Sequence, residues 1–456
     1  MNWLLRAKIA TARGTGALSR LSGRGGTSIP GKVLMRLDGD AIGRLARRLP
    51  RGSAVISATN GKTTTAAMVA AILERDGTRL VHNRAGANMA GGVAAALLYG
   101  RGEQGLFEVD EFWLDHVVGQ LQPRALLLGN LFRDQLDRYG ELETIADRWQ
   151  AVVDELDPKA ALVLNADDPL VADLGREHPG VTYFGVEDDA LAIAEMQHAS
   201  DSKHCRRCGA PYVYDVVYLG HLGRYHCPSC DASRPLPEVV ATNVRLYGTE
   251  RAEFTLWIGE ADLPVALPLP GLYNVYNALA AAALAQALGA TPEQIVAGLA
   301  NVEPAFGRGE TVRLVAPVER DVAILLVKNP AGANEVLRTL ALEPGQHDVL
   351  AVLNDNVADG RDVSWIWDAD FELLADRVRR VTCAGTRADE LAVRLKYAGI
   401  APERISVIGD LEAALDAAAI DIDEPPTTLY ALPTYTAMLE LREVLAKRGV
   451  AEESFA

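Results

Sequence analysis

Ser53-Ala54-Val55-Ile56-Ser57-Ala58-Thr59-Asn60-Gly61-Lys62-Thr63-Thr64-Thr65 runs from a short apolar stretch through a polar loop into an alanine-rich segment, residues 66–75, that closes at Gly77. Physically this reads as a strand, a phosphate-cradling loop and a helix with a left-handed glycine cap. Loop and helix N-terminal N–H groups point outward at the positive end of the helix dipole. Lys62 adds a mobile cation, and a threonine hydroxyl such as that of Thr63 reaches Mg2+. Thr59, Asn60, Gly61, Lys62, Thr63 and Thr64 are therefore candidate nucleotide contacts. One position departs from the general pattern G-x4-G-K-[ST], which wants glycine where this chain has Ile56.

Working outward, short apolar runs alternate with helix-length stretches: Ala54-Val55-Ile56, Gly105-Leu106-Phe107-Glu108-Val109, Ala125-Leu126-Leu127-Leu128, Ala161-Leu162-Val163-Leu164 and Val181-Thr182-Tyr183-Phe184. Strands apolar on both faces predict a parallel sheet covered by helices. Residues 198–236, rich in Cys, His, Tyr and Arg, break this rhythm and read as an inserted module. Strand-like alternation returns from Thr242 to Pro268, followed by an alanine-rich helix over 278–288. From about residue 312 the alternation resumes with Val322-Ala323-Ile324-Leu325-Leu326-Val327, Val349-Leu350-Ala351-Val352-Leu353, Val381-Thr382-Cys383-Ala384, Ile405-Ser406-Val407-Ile408 and Thr428-Leu429-Tyr430-Ala431-Leu432. That predicts a second, Rossmann-like α/β domain. The expected organisation is a basic segment over 1–50, an ATP-binding α/β domain over 51–311 with its insert at about 198–236, and a C-terminal α/β domain over 312–456.

Length and charge set bounds on these readings. The chain has 456 residues, 49% of them apolar, and 45 Lys+Arg against 61 Asp+Glu, a net charge of −16. Sequence-independent nucleic-acid binding needs clustered excess cations, so nucleic acid is excluded as a partner. Residues 1–51 run the other way, with eleven Lys/Arg against Asp38 and Asp40. Their pairing of apolar and basic positions predicts two short amphipathic helices that can lie against an anionic membrane surface. No apolar run reaches the ~20 residues that span a bilayer, and charge enters at Arg6 and Lys8, too early for a signal peptide. The expectation is a cytoplasmic protein, at the inner face of the membrane where those helices touch it.

Four of the five cysteines form Cys205-Arg206-Arg207-Cys208, an eighteen-residue spacer, and Cys227-Pro228-Ser229-Cys230. Each C-x2-C is a tight turn that aims two thiolates at one metal, and two turns complete a tetrahedron, the spacing of a structural zinc ribbon. His204 and His226 read as neighbours of that site rather than ligands, and Cys383 as a packed strand-end thiol. Glu108, with Asp110 and Glu111, ends a strand where an α/β sheet presents its ligands, and is the first candidate carboxylate for Mg2+. Asn165-Ala166-Asp167-Asp168 reads as a helix cap. Asn354-Asp355-Asn356-Val357-Ala358-Asp359-Gly360-Arg361-Asp362-Val363-Ser364-Trp365 gathers more acidic and aromatic residues than a turn needs.

Taken in order, Ala58 to Thr63, Asn130 to Arg138, Leu164 to Asp168, Gly271-Leu272-Tyr273-Asn274-Val275-Tyr276-Asn277-Ala278-Leu279-Ala280 and Gly307-Arg308-Gly309-Glu310 resemble the motifs of the Mur ligase family over roughly residues 53–335. That family couples ATP hydrolysis to amide formation through an acyl phosphate. The resemblance implies Gly61 and Lys62 as phosphate contacts, Thr63 and Glu108 as Mg2+ ligands, Asn277 with Asn274 at the adenine, and Arg308 at the γ-phosphate. On their own, Asn274 and Asn277 read equally as an N-cap and a buried amide.

Three departures narrow this. Too few residues precede the phosphate loop for a separate nucleotide-sugar domain. No lysine lies between Lys62 and Lys159 to stand for the carbamylated lysine of many Mur ligases. Leu325-Leu326-Val327-Lys328-Asn329-Pro330 stands where relatives have Asp-x-x-His-Asn-Pro, so the ribose-contacting aspartate is missing. With the zinc ribbon, the Asn354 to Trp365 loop and Leu432-Pro433-Thr434-Tyr435-Thr436-Ala437-Met438, nearly the whole chain resembles the MurT branch, the ligase-like subunits of lipid II isoglutaminyl synthases. That resemblance implies ATP-dependent amidation of D-isoglutamate in lipid II with ammonia from a GatD-like glutaminase partner. It also implies an acidic residue of the C-terminal domain serving that partner: Asp355, with Asp359 and Asp362 as alternatives. A stand-alone Mur-type or folylpolyglutamate-type ligase and a non-catalytic nucleotide-binding scaffold are the competing readings.

Overall fold

The computed structural model describes residues 3–21, 28–83, 87–134, 142–194, 196–197, 200–303, 309–420 and 427–451. Its strands in chain order are β1 (Ser53–Ser57), β2 (Leu80–His82), β3 (Gln104–Glu108), β4 (Ala125–Leu128), β5 (Ala161–Asn165), β6 (Val181–Val186), β7 (Val213–Leu219), β8 (Leu222–His226), β9 (Val239–Tyr247), β10 (Arg251–Ile258), β11 (Ala261–Leu267), β12 (Glu310–Leu314), β13 (Arg320–Ile324), β14 (His347–Val352), β15 (Val378–Ala384), β16 (Ile405–Val407) and β17 (Leu429–Pro433).

Nine of them form one sheet in the order β11-β10-β9-β6-β5-β4-β1-β3-β2, parallel from β2 to β9 and antiparallel from β9 to β11. Every residue of β1 and β3 is buried. Alternate residues of β1 enter different cores. Ala54 and Ile56 pack with Met68, Ile72 and Leu279 of the Lys62–Arg75 and Leu272–Ala287 helices, while Val55 packs with Val93, Val117 and Trp149 on the other face. This two-residue alternation under helices on both faces is why the strands read as unbroken apolar runs. Burial of that apolar surface is the main force holding the layers together, at about 25 cal/mol per Å2.

The N-terminal segment departs in detail from the expected pair of helices: it forms three, Trp3–Leu21, Ile29–Leu37 and Ala41–Ala46. Leu34, Ile42 and Leu45 are buried in the same core as Val93 and Leu97. Gly31 lets the second helix touch Gly91, since a Cβ there would come 1.8 Å from the Gly91 carbonyl oxygen. Among the described residues no helix is long and apolar enough to cross a membrane.

The second sheet runs β12-β13-β17-β14-β15-β16. It is parallel except for β12, which pairs antiparallel with β13 and places Glu310 to Leu314 in this sheet. β7 and β8 form a separate antiparallel hairpin. Strands β2, β7, β8 and β12 were not among the expected runs, and the Leu272–Ala287 helix begins six residues earlier than its alanine content indicates. The loops leaving β1 and β4 meet the start of the Pro330–Ala341 helix of the second domain, and this junction holds the candidate site.

Candidate functional site

The loop leaving β1 is held open by side chains from three directions. Thr59 N–H donates to the Asn130 carbonyl at 2.9 Å, Asn60 N–H donates to Asn130 Oδ1 at 2.9 Å, and Phe132 N–H donates to Thr59 Oγ1 at 3.1 Å. Gly61 has φ 85°, and a Cβ there would lie 2.0 Å from Asn277 Oδ1, so both its backbone and its neighbour require glycine. Lys62 is buried at the helix start, where its ammonium donates to the Ala58 carbonyl and to Glu111 Oε2 at 2.9 Å. Burial by itself lowers the lysine pKa, but Glu111, Asp110 and Asp134 outweigh it and raise it, so Lys62 is a cation. Burial likewise pushes Glu111 up, and Lys62 and Lys328 bring it below its usual value. Asp110 is raised, by burial first and by Glu111 second.

Thr63 Oγ1 donates to Glu108 Oε2 at 2.7 Å. Glu108 is 1% exposed and ends β3, where Asn83 grips its backbone: Glu108 N–H donates to Asn83 Oδ1 at 3.0 Å and Asn83 Nδ2 to the Glu108 carbonyl at 2.8 Å. A hydroxyl and a carboxylate, adjacent to a helix N-terminus and a lysine, are the hard oxygen ligands that suit Mg2+ beside phosphates. The donor set fits that ion.

Across the loop stands the Leu272–Ala287 helix, capped by Gly271 rather than by Asn274. Thr65 Oγ1 donates to Asn277 Oδ1 at 3.3 Å, Asn277 Nδ2 to Asn274 Oδ1 at 3.1 Å, and Asn274 Nδ2 to the Pro270 carbonyl at 2.8 Å. From the second domain, Asn329 caps the Pro330–Ala341 helix through Gly332 N–H at 2.8 Å and also donates from Nδ2 to Asn60 Oδ1 at 3.0 Å. Lys328 pairs with Asp134 at 2.5 Å and donates to the Thr59 carbonyl at 3.3 Å. Between these walls lies a cavity of about 990 Å3 counted to its open mouth, polar at Asn60, Asn274, Asn277 and Lys328 and apolar at Leu219, Leu222, Leu325 and Val336. Glu335, 4% exposed, also lines it, with Oε1 2.9 Å from Arg338 Nη1. A smaller cavity on the far side of Lys328 is bordered by Arg133, Asp134, Asp359, Asp362 and Trp365.

The four cysteine sulfurs all lie within 4.8 Å of one another, with Cys205–Cys230 at 3.6 Å and Cys208–Cys227 at 3.4 Å. Disulfides need sulfurs about 2.05 Å apart. A tetrahedral zinc with bonds of about 2.3 Å sets them about 3.8 Å apart, which these positions fit. Burial raises the Cys205 thiol, but the N–H groups of Cys208 and Arg207 bring it down to about 7, toward the ligating thiolate. His226 faces Asp215 at 3.3 Å, and neither His204 nor His226 joins the cluster.

In the C-terminal loop the three acids separate by what they touch. Asp359 is buried and accepts from Thr436 N–H at 2.7 Å and from the Thr436 hydroxyl. Asp362 accepts from Ser364 N–H at 2.8 Å, a local turn bond. Asp355 keeps 28% of its side chain exposed, fixed by the Thr386 hydroxyl at 2.8 Å with Arg387 at 3.9 Å. Cys383 is fully buried, and burial pushes its thiol up to about 12. Of the Asn165 to Asp168 motif, Asp168 caps the Pro169–Asp173 helix, whereas Asp167 instead accepts from Val186 N–H, Arg234 and Tyr276.

The structure thus brings Asn60, Gly61, Lys62, Thr63, Thr64, Glu108, Asn274 and Asn277 into one site, with Thr59 anchoring the loop behind them. Asp355 lies apart from them, and Arg308 lies outside the described residues, as do Gln135, Leu136, Asp137 and Arg138 of the Asn130 motif. Sequence reasoning missed Asn83, Leu219, Leu222, Glu335 and the cationic role of Lys328. The signals available were a polar residue ending a short strand for Asn83, and the departure from Asp-x-x-His-Asn-Pro for Lys328.

A family profile described as Mur ligase middle domain matches residues 56–225, and one described as MurT ligase C-terminal matches residues 326–438. The chain is 34% identical over 439 residues to the lipid II isoglutaminyl synthase (glutamine-hydrolyzing) subunit MurT of Streptococcus pneumoniae, covering 95% of each chain. It is 32% identical to the corresponding subunit of Staphylococcus aureus strain N315, covering 94% of each. Among solved structures, a pseudomurein peptide ligase type C from Methanothermus fervidus aligns with a TM-score of 0.68 at 24% identity, over 89% of this chain and 80% of that one. A Mycobacterium tuberculosis folylpolyglutamate synthase complexed with ADP and AMPPCP aligns at 0.59 and 17% identity, over 89% and 94%. The two structural likenesses show the fold.

Proposed function

The chain belongs to the MurT family, and from that premise we propose that it is the ATP-consuming subunit of a lipid II isoglutaminyl synthase in peptidoglycan biosynthesis. It phosphorylates the α-carboxylate of the D-isoglutamate residue in the lipid II stem peptide, and ammonia then displaces phosphate to leave D-isoglutamine. The observation that carries this reading is the meeting of Gly61, Lys62, Thr63 and Glu108 on one domain with Lys328 and Asn329 on the other.

A carboxylate is anionic and resonance-stabilised, so ammonia does not attack it at useful rates. In the first step a carboxylate oxygen bonds to the γ-phosphorus and ADP leaves. In the second, ammonia bonds to the acyl carbon, phosphate leaves, and the nitrogen loses a proton. Positioning and charge neutralisation supply the rate. The N–H groups of residues 61–63 at the helix start and the Lys62 cation hold the phosphates, Lys328 faces the same phosphates from the second domain, and Thr63 and Glu108 would hold Mg2+. Bound Mg2+ neutralises charge on the phosphate oxygens. Asn274 and Asn277 line the purine end. Leu325 occupies the place of the missing ribose aspartate, and Glu335 is the carboxylate that the fold brings into the cavity to receive the ribose hydroxyls. Arg308 at the γ-phosphate rests on the family motif.

Ammonia must come from elsewhere, because its protonated form dominates near neutral pH and none of this chain's five cysteines is placed as a nucleophile for glutamine hydrolysis. Four cysteines belong to the metal cluster and Cys383 is buried with a raised pKa. The partner is a GatD-like glutaminase, and half-exposed Asp355 is the acid that supports its catalytic pair. Exposed Lys32 and Arg36 on the second N-terminal helix and Arg47 just after the third support contact with an anionic membrane surface where lipid II resides. Lys62→Ala and Glu108→Gln each lower ammonium-driven amidation of lipid II roughly 100- to 1000-fold. Amidation at the wild-type rate in both variants would overturn the site.

A further inference from the structure

The cysteine-rich insert reaches the nucleotide cavity. Its hairpin carries the metal cluster at one end, where β8 ends at His226 beside Cys227, and a two-residue turn at the other, Gly220-His221 between Leu219 and Leu222. Seven residues of β7 put these ends about 20 Å apart. The turn is not at the surface: Leu219 and Leu222 are 4% and 2% exposed, and both line the cavity that faces Gly61 and Asn277. The His221 ring sits 4.6 Å from that of Phe132, which lines the same cavity. Gly220 has φ 57°, and a Cβ there would come 2.9 Å from Phe132, so this close seat requires glycine.

The turn is fastened on several sides. Ser200 Oγ donates to the Gly220 carbonyl at 2.7 Å, Gly220 N–H donates to Gln197 Oε1 at 2.7 Å, and Gly223 N–H donates to the Asp167 carbonyl at 3.0 Å. Arg338 of the second domain donates to the Tyr218 carbonyl at 2.8 Å while it pairs with Glu335. In the segment that follows the cluster, Arg234 grips Asp167, which in turn accepts from the Tyr276 hydroxyl on the helix that carries Asn277.

We propose that the Leu219–Leu222 turn is the apolar wall against which the nucleoside end of ATP packs, and that the thiolate cluster, loaded with zinc, sets the position of that wall. The proposal rests on the reading of the cavity as the ATP site. Leucine methyls meet a flat purine face well and offer nothing to a phosphate, so the turn distinguishes nucleoside from triphosphate. Zinc acts on nucleotide affinity through the hairpin.

The test is equilibrium binding of AMP-PNP and of inorganic tripolyphosphate, with Mg2+ present, to the full chain as purified, to Leu222→Ala, and to chain stripped of zinc by a chelator and then reloaded. Zinc content and melting temperature are measured in parallel. Loss of a buried branched group at the base weakens AMP-PNP roughly ten-fold or more and leaves tripolyphosphate unchanged. Zinc removal weakens AMP-PNP and reloading restores it. Wild-type AMP-PNP affinity in Leu222→Ala, or equal loss of both ligands, overturns the wall, and unchanged affinity after zinc removal overturns the coupling. Lys62→Ala separates the two readings: full AMP-PNP affinity in that variant overturns the ATP site itself, whereas weakened Lys62→Ala beside unchanged Leu222→Ala overturns the turn alone.

Discussion

Gly61 and Gly77 flank the same helix with nearly the same backbone, φ 85° and 82°, and differ in what a side chain would meet there. Gly77 faces open space, so Gly77→Ala costs only the left-handed penalty, about 1 to 2 kcal/mol in a denaturant melt. Gly61→Ala adds a collision with Asn277, lowers stability more and removes nucleotide binding; equal melts for the two variants would contradict the close approach. Asp355→Asn is expected to reduce glutamine-driven amidation while sparing ammonium-driven amidation, and equal loss of both would sink its assignment to the partner. If Glu335 serves the ribose hydroxyls as proposed, Glu335→Gln is expected to narrow the preference for ATP over 2′-deoxy-ATP several-fold in KM, with kcat little changed. At this scale, residues with short-range logic were legible: the strand, loop and helix around Gly61, the acid ending the neighbouring strand, and four cysteines at ribbon spacing. Glu335 was not, because a glutamate on an amphipathic helix looks the same whether it faces water or a cavity.

Elements buried on both faces announced themselves as apolar runs, which is why β1, β3, β4 and β5 were readable to within a residue or so. Edge strands β2 and β12 carry too little apolar pattern, and the β7–β8 hairpin draws order from its cysteine cluster and turn contacts more than from alternation. The Leu272–Ala287 helix starts with Leu-Tyr-Asn, so alanine content understates it. One buried element predicts an acid response. Asp348, at the start of β14, takes hydrogen bonds from Arg320, Arg379 and Arg380 at 2.8, 2.5 and 3.0 Å. Burial pushes its carboxyl up, and the three guanidiniums together bring it below its usual value. A depressed pKa stabilises above the unfolded value of about 3.9 and loses that contribution as pH falls through the lower folded value. The second domain is therefore expected to lose stability below about pH 4, and Asp348→Asn to lose about 3 to 5 kcal/mol at neutral pH, because it strands buried Arg320. A neutral-pH melt unchanged in Asp348→Asn would contradict this.

At the scale of the molecule, the two α/β domains close over one cavity through pairs far apart in sequence: Asn60 with Asn329, Asp134 with Lys328, and Arg133 with both Asp201 of the insert and Asp368 of the second domain. Periodicity pointed to the strands of both large sheets, but not to their apposition, since no local pattern records a contact across 269 positions. Lys328 shows the consequence: in sequence it was a departure from a motif, and in the fold it reaches from the second domain to the Thr59 carbonyl and Asp134. Lys328→Ala is expected to slow acyl-phosphate formation more than it weakens AMP-PNP binding, and the reverse pattern would place it at the nucleoside instead. The central claim is that this chain activates a lipid II carboxylate for attack by ammonia. It is tested most directly by supplying purified chain with ATP, Mg2+, ammonium and lipid II, then weighing the lipid II by mass spectrometry. The expected result is ATP turnover with the small mass loss that exchanges a hydroxyl for an amide; ATP turnover with a mass gain matching an added amino acid, or no change in mass, would contradict it.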